Sequence, residues 1–321
     1  MPINDVRNTV LAIANKNNYG YISPQDFNLY AQQSQMDMFE DYFYQYNNQL
    51  TKENQRMSGT GYADITKGLL EVIDTFYVNK PLLNISSSVS PNLYTLPSDY
   101  YLINKMLVYT KELASGTTTS VNGGSTAVND STADFISRGV VAGDIVSTIT
   151  GGVVYNTVVS QVVNATNLVV FPTPGAQVWD NIGKTYNIYS ASSIIEAERV
   201  AQSKITMLNN SVLTKPNIGY PAYTQNALAA EAFPITINKT GQLTSQYVRY
   251  PLPPKWTFVS ITLGEPMFDA SQADYQDFEL PLSDEPELIA KICKYVGLEI
   301  READVYAFGT EALANEQQTQ G

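Results

Sequence analysis

Between Asp134 and Ser190 the apolar residues of this chain recur at every second position, while on either side they recur at helical spacing. This change of period is the strongest constraint on the fold. Alternate residues of a strand face opposite sides of a sheet, whereas residues three and four apart share one helix face. Within the alternating stretch, Asp144–Ile149 reads as a strand, Gly151-Gly152 as a hairpin turn and Val153–Val163 as the returning strand. Asn164–Asn167 reads as a turn, followed by strands at Leu168–Phe171 and Thr185–Tyr189. The Ser-, Gly- and Thr-rich run at 115–132 holds no Lys or Arg and reads as loop. The expectation is a small all-β module, barrel- or sandwich-like, at 115–190. It would be inserted into a mixed α/β core formed by 81–114 and 191–280.

The flanks carry helix signals. Val6, Val10 and Ile13 form a stripe. Ser23-Pro24-Gln25-Asp26 reads as a helix start: a capping hydroxyl, a proline suited to the first turn and an acid at the positive end. The helix that follows should run to about Asn48, with Phe27, Tyr30, Met38, Phe39, Tyr42, Phe43 and Tyr46 on a broad aromatic face. A shorter helix is expected at Ala63–Thr75. Leu93–Leu96 and Tyr100–Tyr109 fit strand or short helix equally. Ser193-Ile194-Ile195-Glu196 has the form of a capping box and predicts a helix through Leu208. Strand-like segments resume at Phe233–Ile237, Gln246–Tyr250 and Thr257–Leu263. Ser283-Asp284-Glu285-Pro286 predicts a helix that stops at Gly297, and a last helix is expected at Glu302–Asn315. The class is therefore α+β. It has a helical region at 1–80, the core with its β insertion, and a C-terminal helix pair and tail at 281–321.

Chemistry is constrained by what the chain lacks. Its 321 residues include no histidine and one cysteine, Cys293. Ser-His-Asp and Cys-His arrangements are excluded, and the commonest metal ligand is missing. We expect no catalytic residue, cofactor or metal. Asp269, Asp274, Asp277 and Glu279 cluster, but their spacing matches no calcium loop and reads as a solvated acidic linker. Trp256 reads as a buried strand-start aromatic before it reads as a ligand platform. Nineteen Lys and Arg against 31 Asp and Glu give a net charge of −12, without the basic footprint of a nucleic-acid binder. No apolar run is long enough to span a bilayer, and no leader is expected. Tyrosine is abundant, 22 residues, and suits subunit interfaces. The candidate interface residues are Tyr30, Tyr42 and Tyr46 on the long helix, with Phe308, Glu302 and Asp304 in the last one. From Pro281 onward eight acids face three bases.

Three segments resemble a structural protein of crAss-like phages. They are Ile22-Ser23-Pro24-Gln25-Asp26-Phe27-Asn28; Tyr247-Val248-Arg249-Tyr250-Pro251 with Pro254-Lys255-Trp256; and Asp277-Phe278-Glu279-Leu280-Pro281 with Asp284–Leu288, Gly297-Leu298 and Glu302-Ala303-Asp304. The resemblance implies a virion component made in the bacterial host cytoplasm. It implies a ring in the portal–tail neck, twelve-fold, whose partners are copies of itself, the portal and other neck or tail proteins. Such a ring would enclose passing DNA without sequence-specific contact, and no membrane. The alternative is a tail-tip or receptor-binding protein whose β module holds carbohydrate, with Trp179 and Tyr155 as its candidate aromatics.

Overall fold

A computed structural model describes residues 1–14, 22–55, 65–85, 90–120, 126–172, 179, 182–260, 266–300, 307, 310, 311 and 314. The fold is α+β, as expected. The chain forms two compact units, Met1–Phe76 with Tyr250–Gly321, and Tyr77–Arg249.

The first unit opens with α1 (Ile3–Ala14), which buries Val6 and Val10 of the predicted stripe together with Ile3 and Ala14, while Ile13 is half-buried. Helix α2 (Pro24–Gln55) starts as its sequence dictates. The Asp26 amide donates to Ser23 Oγ at 3.1 Å, and the Ser23 hydroxyl donates to the Asp26 carboxylate. The helix runs past Asn48 to Gln55. Its Phe39 meets Phe43 and Phe76 edge-on, each at 5.1 Å between centroids. Helix α3 (Ile65–Asp74) completes this half of the unit.

The second unit begins with β1 (Tyr77–Pro81), β2 (Leu83–Asn84), β3 (Leu93–Thr95) and β4 (Tyr100–Tyr109). The next six strands are β5 (Glu112–Thr117), β6 (Ala127–Asn129), β7 (Ile145–Thr150), β8 (Val153–Asn164), β9 (Asn167–Val170) and β10 (Thr185–Tyr189). Then come β11 (Ile194–Arg199), α4 (Gln202–Asn210), β12 (Ala222–Asn226), β13 (Ala229–Phe233) and β14 (Leu243–Arg249). One sheet has the order β1-β14-β4-β11-β12-β13-β3-β2. Its two edge strands are separated in sequence by Leu82 alone. A single bent segment therefore pairs with β14 at one edge and β3 at the other, which curls the sheet into a nearly closed barrel. Leu82, Tyr94, Met106, Val108, Tyr223 and Leu243 fill it.

The other sheet, β5-β10-β7-β8-β9-β6, lies wholly between β4 and β11 and has its own core of Phe135, Val146, Val159, Leu168, Trp179, Tyr186 and Ile188. Its strands run from Glu112 to Tyr189. Gly151 and Gly152, at φ +59° and +79°, make the tight turn between β7 and β8. Asp130 is buried here. It accepts from Tyr186 Oη at 2.7 Å, from the Thr132 amide at 2.9 Å and from Thr132 Oγ1 at 2.6 Å. Burial raises the Asp130 carboxyl, but the bonds from Thr132 and Tyr186 more than offset this and hold it below its ordinary range.

The module is tied to the barrel through residues 239–242. Lys239 pairs with Glu112, and the Thr240 carbonyl accepts from Asn187 Nδ2 at 3.3 Å and Tyr189 Oη at 3.0 Å. The Gly241 amide donates to the Leu82 carbonyl at 3.1 Å. Tyr109 and Tyr189 stack at 5.5 Å across the same joint.

Several expectations need correction. The capping-box reading at Ser193 fails: Ile194–Arg199 is a strand, antiparallel to β4 and parallel to β12. Ser193 spends its groups on the strand bridge, taking the Lys111 amide on Oγ and the Thr110 amide on its carbonyl. Glu196 pairs across strands with Lys105 at 3.0 Å. The helix starts only at Gln202. The loop reading of 115–132 misses the end of β5 and all of β6, short strands whose pairing is carried by the main chain. The strand expected at Phe233–Ile237 instead ends at Phe233, because Pro234 has no amide hydrogen for a ladder. Strand β12 was not anticipated. The unit boundary falls at Tyr250, so 250–280 belongs with the helices and not with the core.

That returning segment forms the short pair β15 (Phe258–Val259) and β16 (Met267–Phe268), a 3-10 turn at Leu282–Asp284, and α5 (Glu285–Ile300). Helix α5 does not stop at Gly297. It buries Leu288, Ile292, Cys293 and Val296, and such packing outweighs the ~1 kcal/mol penalty of a helical glycine.

Candidate functional site

The tyrosines of α2 meet α5 along an antiparallel seam. Tyr30 stacks on Tyr295, with centroids 6.0 Å apart and planes within 6°. The Tyr295 hydroxyl donates to Asp37 Oδ2 at 2.7 Å. Lys291 Nζ lies 2.5 Å from Asp41 Oδ2 and 3.5 Å from Glu287 Oε1, and the Tyr42 hydroxyl donates to Asp284. Burial raises the Tyr42 phenol above its ordinary value, reinforced by the bond to Asp284 and by the charges of Asp284, Glu287 and Asp41. Burial alone would lower the Lys291 ammonium; its bond to Asp41 and the surrounding acids more than offset this and raise it. Tyr42 is therefore a core residue of this unit, and Tyr30 is half-buried in the seam. Tyr46 is half-buried one turn farther along α2. Glu302, Asp304 and Phe308 lie outside the described residues, as does most of the expected last helix.

Replacing Lys291 with Ala leaves Asp41 and Glu287 without their shared cation. We expect a loss of about 2 kcal/mol in urea unfolding, the scale for a hydrogen bond to a charged group. An unchanged midpoint would mean that solvent already screens the seam.

The four acids of the linker serve separate structural ends. Asp269 Oδ1 accepts from the Ser271 amide at 2.9 Å and its hydroxyl at 2.6 Å, which lowers the carboxyl. Asp274 pairs with Lys255, whose hydrogen bond likewise lowers it. Asp277 Oδ1 accepts from the Ile3 amide at 2.8 Å and Tyr275 Oη at 2.8 Å. Glu279 Oε2 accepts from the Leu252 amide at 2.8 Å. Each carboxylate is turned toward its own chain partner. Among the described residues no group of three or more Cys, Asp or Glu side chains is placed to hold a metal ion.

Trp256 is buried. Its ring lies near Phe258 and Phe268, at 5.7 and 5.9 Å, with the Arg7 guanidinium 3.9 Å from its centroid. Its Nε1 donates to Asn4 Oδ1 at 3.1 Å. Trp179 is buried within the β module, and Tyr155 packs against the same core. The exposed aromatic pair that a carbohydrate-binding module needs is therefore not made by these two. Burial pushes the Cys293 thiol up to about 12, far from a nucleophile. A cleft of about 150 Å³, lined by Leu83, Leu96, Pro97 and Val153 among others, is smaller than a site for a drug-sized ligand. No described helix is long and apolar enough to cross a membrane.

No family model matches this chain, and no curated protein matches it.

Two exposed surfaces lie apart from the residues singled out by sequence. One is the outer stripe of α2, where Leu29 is 61 % and Tyr44 69 % exposed, with Glu40 between them. Positions 29, 33, 40 and 44 recur at helical spacing, so the signal was present but hidden beneath the broader aromatic face. The other is the segment joining β11 to β12. There Met207 projects from α4, and Val212, Leu213 and Tyr220 from an irregular path that no periodicity rule detects.

Proposed function

We propose that this chain is a non-enzymatic structural subunit that closes into an oligomeric ring in the portal–tail neck of a tailed-phage particle. The observation that carries the reading is the outer stripe of α2, a rigid helix that presents Leu29 and Tyr44 to the outside while its opposite side is consumed by α3 and α5 contacts and core aromatics. Apolar and tyrosine side chains on a rigid face are what subunit interfaces are made of. The hydrogen bonds of Asp269, Asp274, Asp277 and Glu279 to their own chain support the non-enzymatic reading. The three segments that resemble a crAss-like phage structural protein point the same way, and imply neighbours in the portal and tail. A rotation that closes converts one such repeated contact into a cyclic ring.

The test is assembly of the full chain. Mass photometry and negative-stain microscopy of purified protein should give closed rings of one copy number, and the chain should trace into the neck in maps of intact particles. Glycan, peptide and nucleic-acid substrates should not be turned over. A protein that remains monomeric at all concentrations, or hydrolysis abolished by Asp274→Asn, would sink the reading.

A further inference from the structure

The two units divide the charge very unequally. Residues 1–76 and 250–321 hold nine Lys and Arg against 22 Asp and Glu, whereas 77–249 hold ten against nine. The whole negative charge of the chain therefore sits on the helical unit. Within the β unit, the run from Arg199 to Ala230 contains three cations, Arg199, Lys204 and Lys215, and no acid. This run holds the most exposed apolar side chains described: Val212 at 98 %, Leu213 at 96 %, Tyr220 at 81 % and Met207 at 77 %.

These side chains are held outward by an ordered backbone. The Lys215 amide donates to the Ser211 carbonyl at 3.1 Å and the Thr214 amide to Ser211 Oγ at 3.3 Å, a turn with Val212 and Leu213 at its crest. Asn217 Oδ1 accepts from the Gly219 and Tyr220 amides at 2.9 and 3.1 Å, a second turn that sets Tyr220. Only Ile205 of α4 is buried. Keeping apolar groups of this size in water costs free energy that covering them would recover.

We propose that this basic, apolar-tipped arm docks on the acidic helical unit of a second copy of this chain, against the outer stripe of α2. Leu29 and Tyr44 supply the apolar contact for Val212, Leu213 and Tyr220, and Glu40 lies between them to meet Lys204 or Lys215. The charge asymmetry selects the occupant. An acid-free arm is attracted to a unit with a large excess of carboxylates, and that unit is present on every other copy. The contact joins different surfaces of the two copies, so it is heterologous and propagates head to tail, as a ring requires. The inference rests on the ring reading above and adds the surfaces that make the ring.

Two singly substituted full-length proteins, Leu213→Cys and Tyr44→Cys, should form a mixed disulfide when combined under mild oxidation, far more than either alone. Cys293 is buried and does not compete. Lys215→Glu and Glu40→Lys should each weaken self-association at least tenfold at low salt, and combining them in one chain should restore most of it. Both positions are exposed, so melting should be unchanged and loss of assembly cannot be blamed on misfolding. Rings that form normally with Lys215→Glu plus Leu213→Asp, and no mixed disulfide, would overturn the arm contact and leave the ring reading standing. A wild-type protein that never self-associates would overturn both.

Discussion

Gly241→Ala is expected to destabilise the protein by about 3 kcal/mol or more, by forcing apart the joint between module and barrel. Gly241 sits at φ +75°, a conformation side chains resist. A Cβ built on it would also lie 1.8 Å from Ser147 Oγ, 2.6 Å from Ser147 Cβ and 3.0 Å from Asn156 Oδ1. Ser147 and Asn156 belong to β7 and β8, so the clash falls where the module seats on the 239–242 segment. Gly143→Ala separates the two causes. Its φ is +100° with nothing within 4 Å of the new atom, so it should cost only the backbone strain, about 1 kcal/mol. Ser147→Gly removes both serine atoms from the clash. Combined with Gly241→Ala it should recover about 2 kcal/mol relative to the sum of the single losses, a coupling read by a double-mutant cycle in urea. Additive losses would mean that the two elements are not in contact.

The same joint shows what the sequence could and could not reveal. The module itself was legible because a period of two is a local property: β7, the Gly151-Gly152 turn, β8 and β10 were all foreseen within a residue or two. So was the start of α2, where Ser23 and Asp26 act within one turn. The barrel was not legible, since closure depends on Leu82 lying between two strands whose partners are 163 and 12 residues downstream, Thr244 for Pro81 and Thr95 for Leu83. Ser193 to Glu196 misled for the same reason. A capping box is a local pattern, and four cross-strand pairs with β4 outweigh it. For the candidate site, tyrosine content pointed to interfaces, yet Tyr42 lies inside the helical unit because its partner Asp284 is 242 residues away. Exposure of Leu29, Tyr44, Val212 and Leu213 is a property of what fails to pack against them, which no single segment encodes.

Stability should be nearly flat between roughly pH 6 and 8, because no histidine titrates there, and should collapse above pH 10. The β unit buries Tyr94, Tyr109, Tyr186, Tyr189, Tyr223 and Tyr247, and for each of them burial raises the phenol above its ordinary value of 10.0. Carboxylates add to this at Tyr186, facing Asp130, and at Tyr247, facing Asp99. In the helical unit burial pushes Tyr275 and Tyr295 up to about 12, each reinforced by an aspartate. The sign follows from linkage. These groups bind their protons more tightly when folded, so their contribution is fully present below pH 10. As pH rises beyond that, unfolded chains release protons that folded chains retain, and stability falls. Six phenols of this kind lose about 8 kcal/mol per pH unit once their unfolded counterparts are fully ionised, which exhausts a typical domain stability within about two units. Phenolate absorbance should therefore rise in one cooperative step together with loss of the circular dichroism of the sheets. Tyr109→Phe should reduce the slope by about 1 kcal/mol per pH unit, since it deletes one such proton and keeps the stack on Tyr189. Smooth ionisation of all the tyrosines near pH 10, with the sheets intact, would show that these phenols reach water in the folded state and that the packing of the barrel is looser than described.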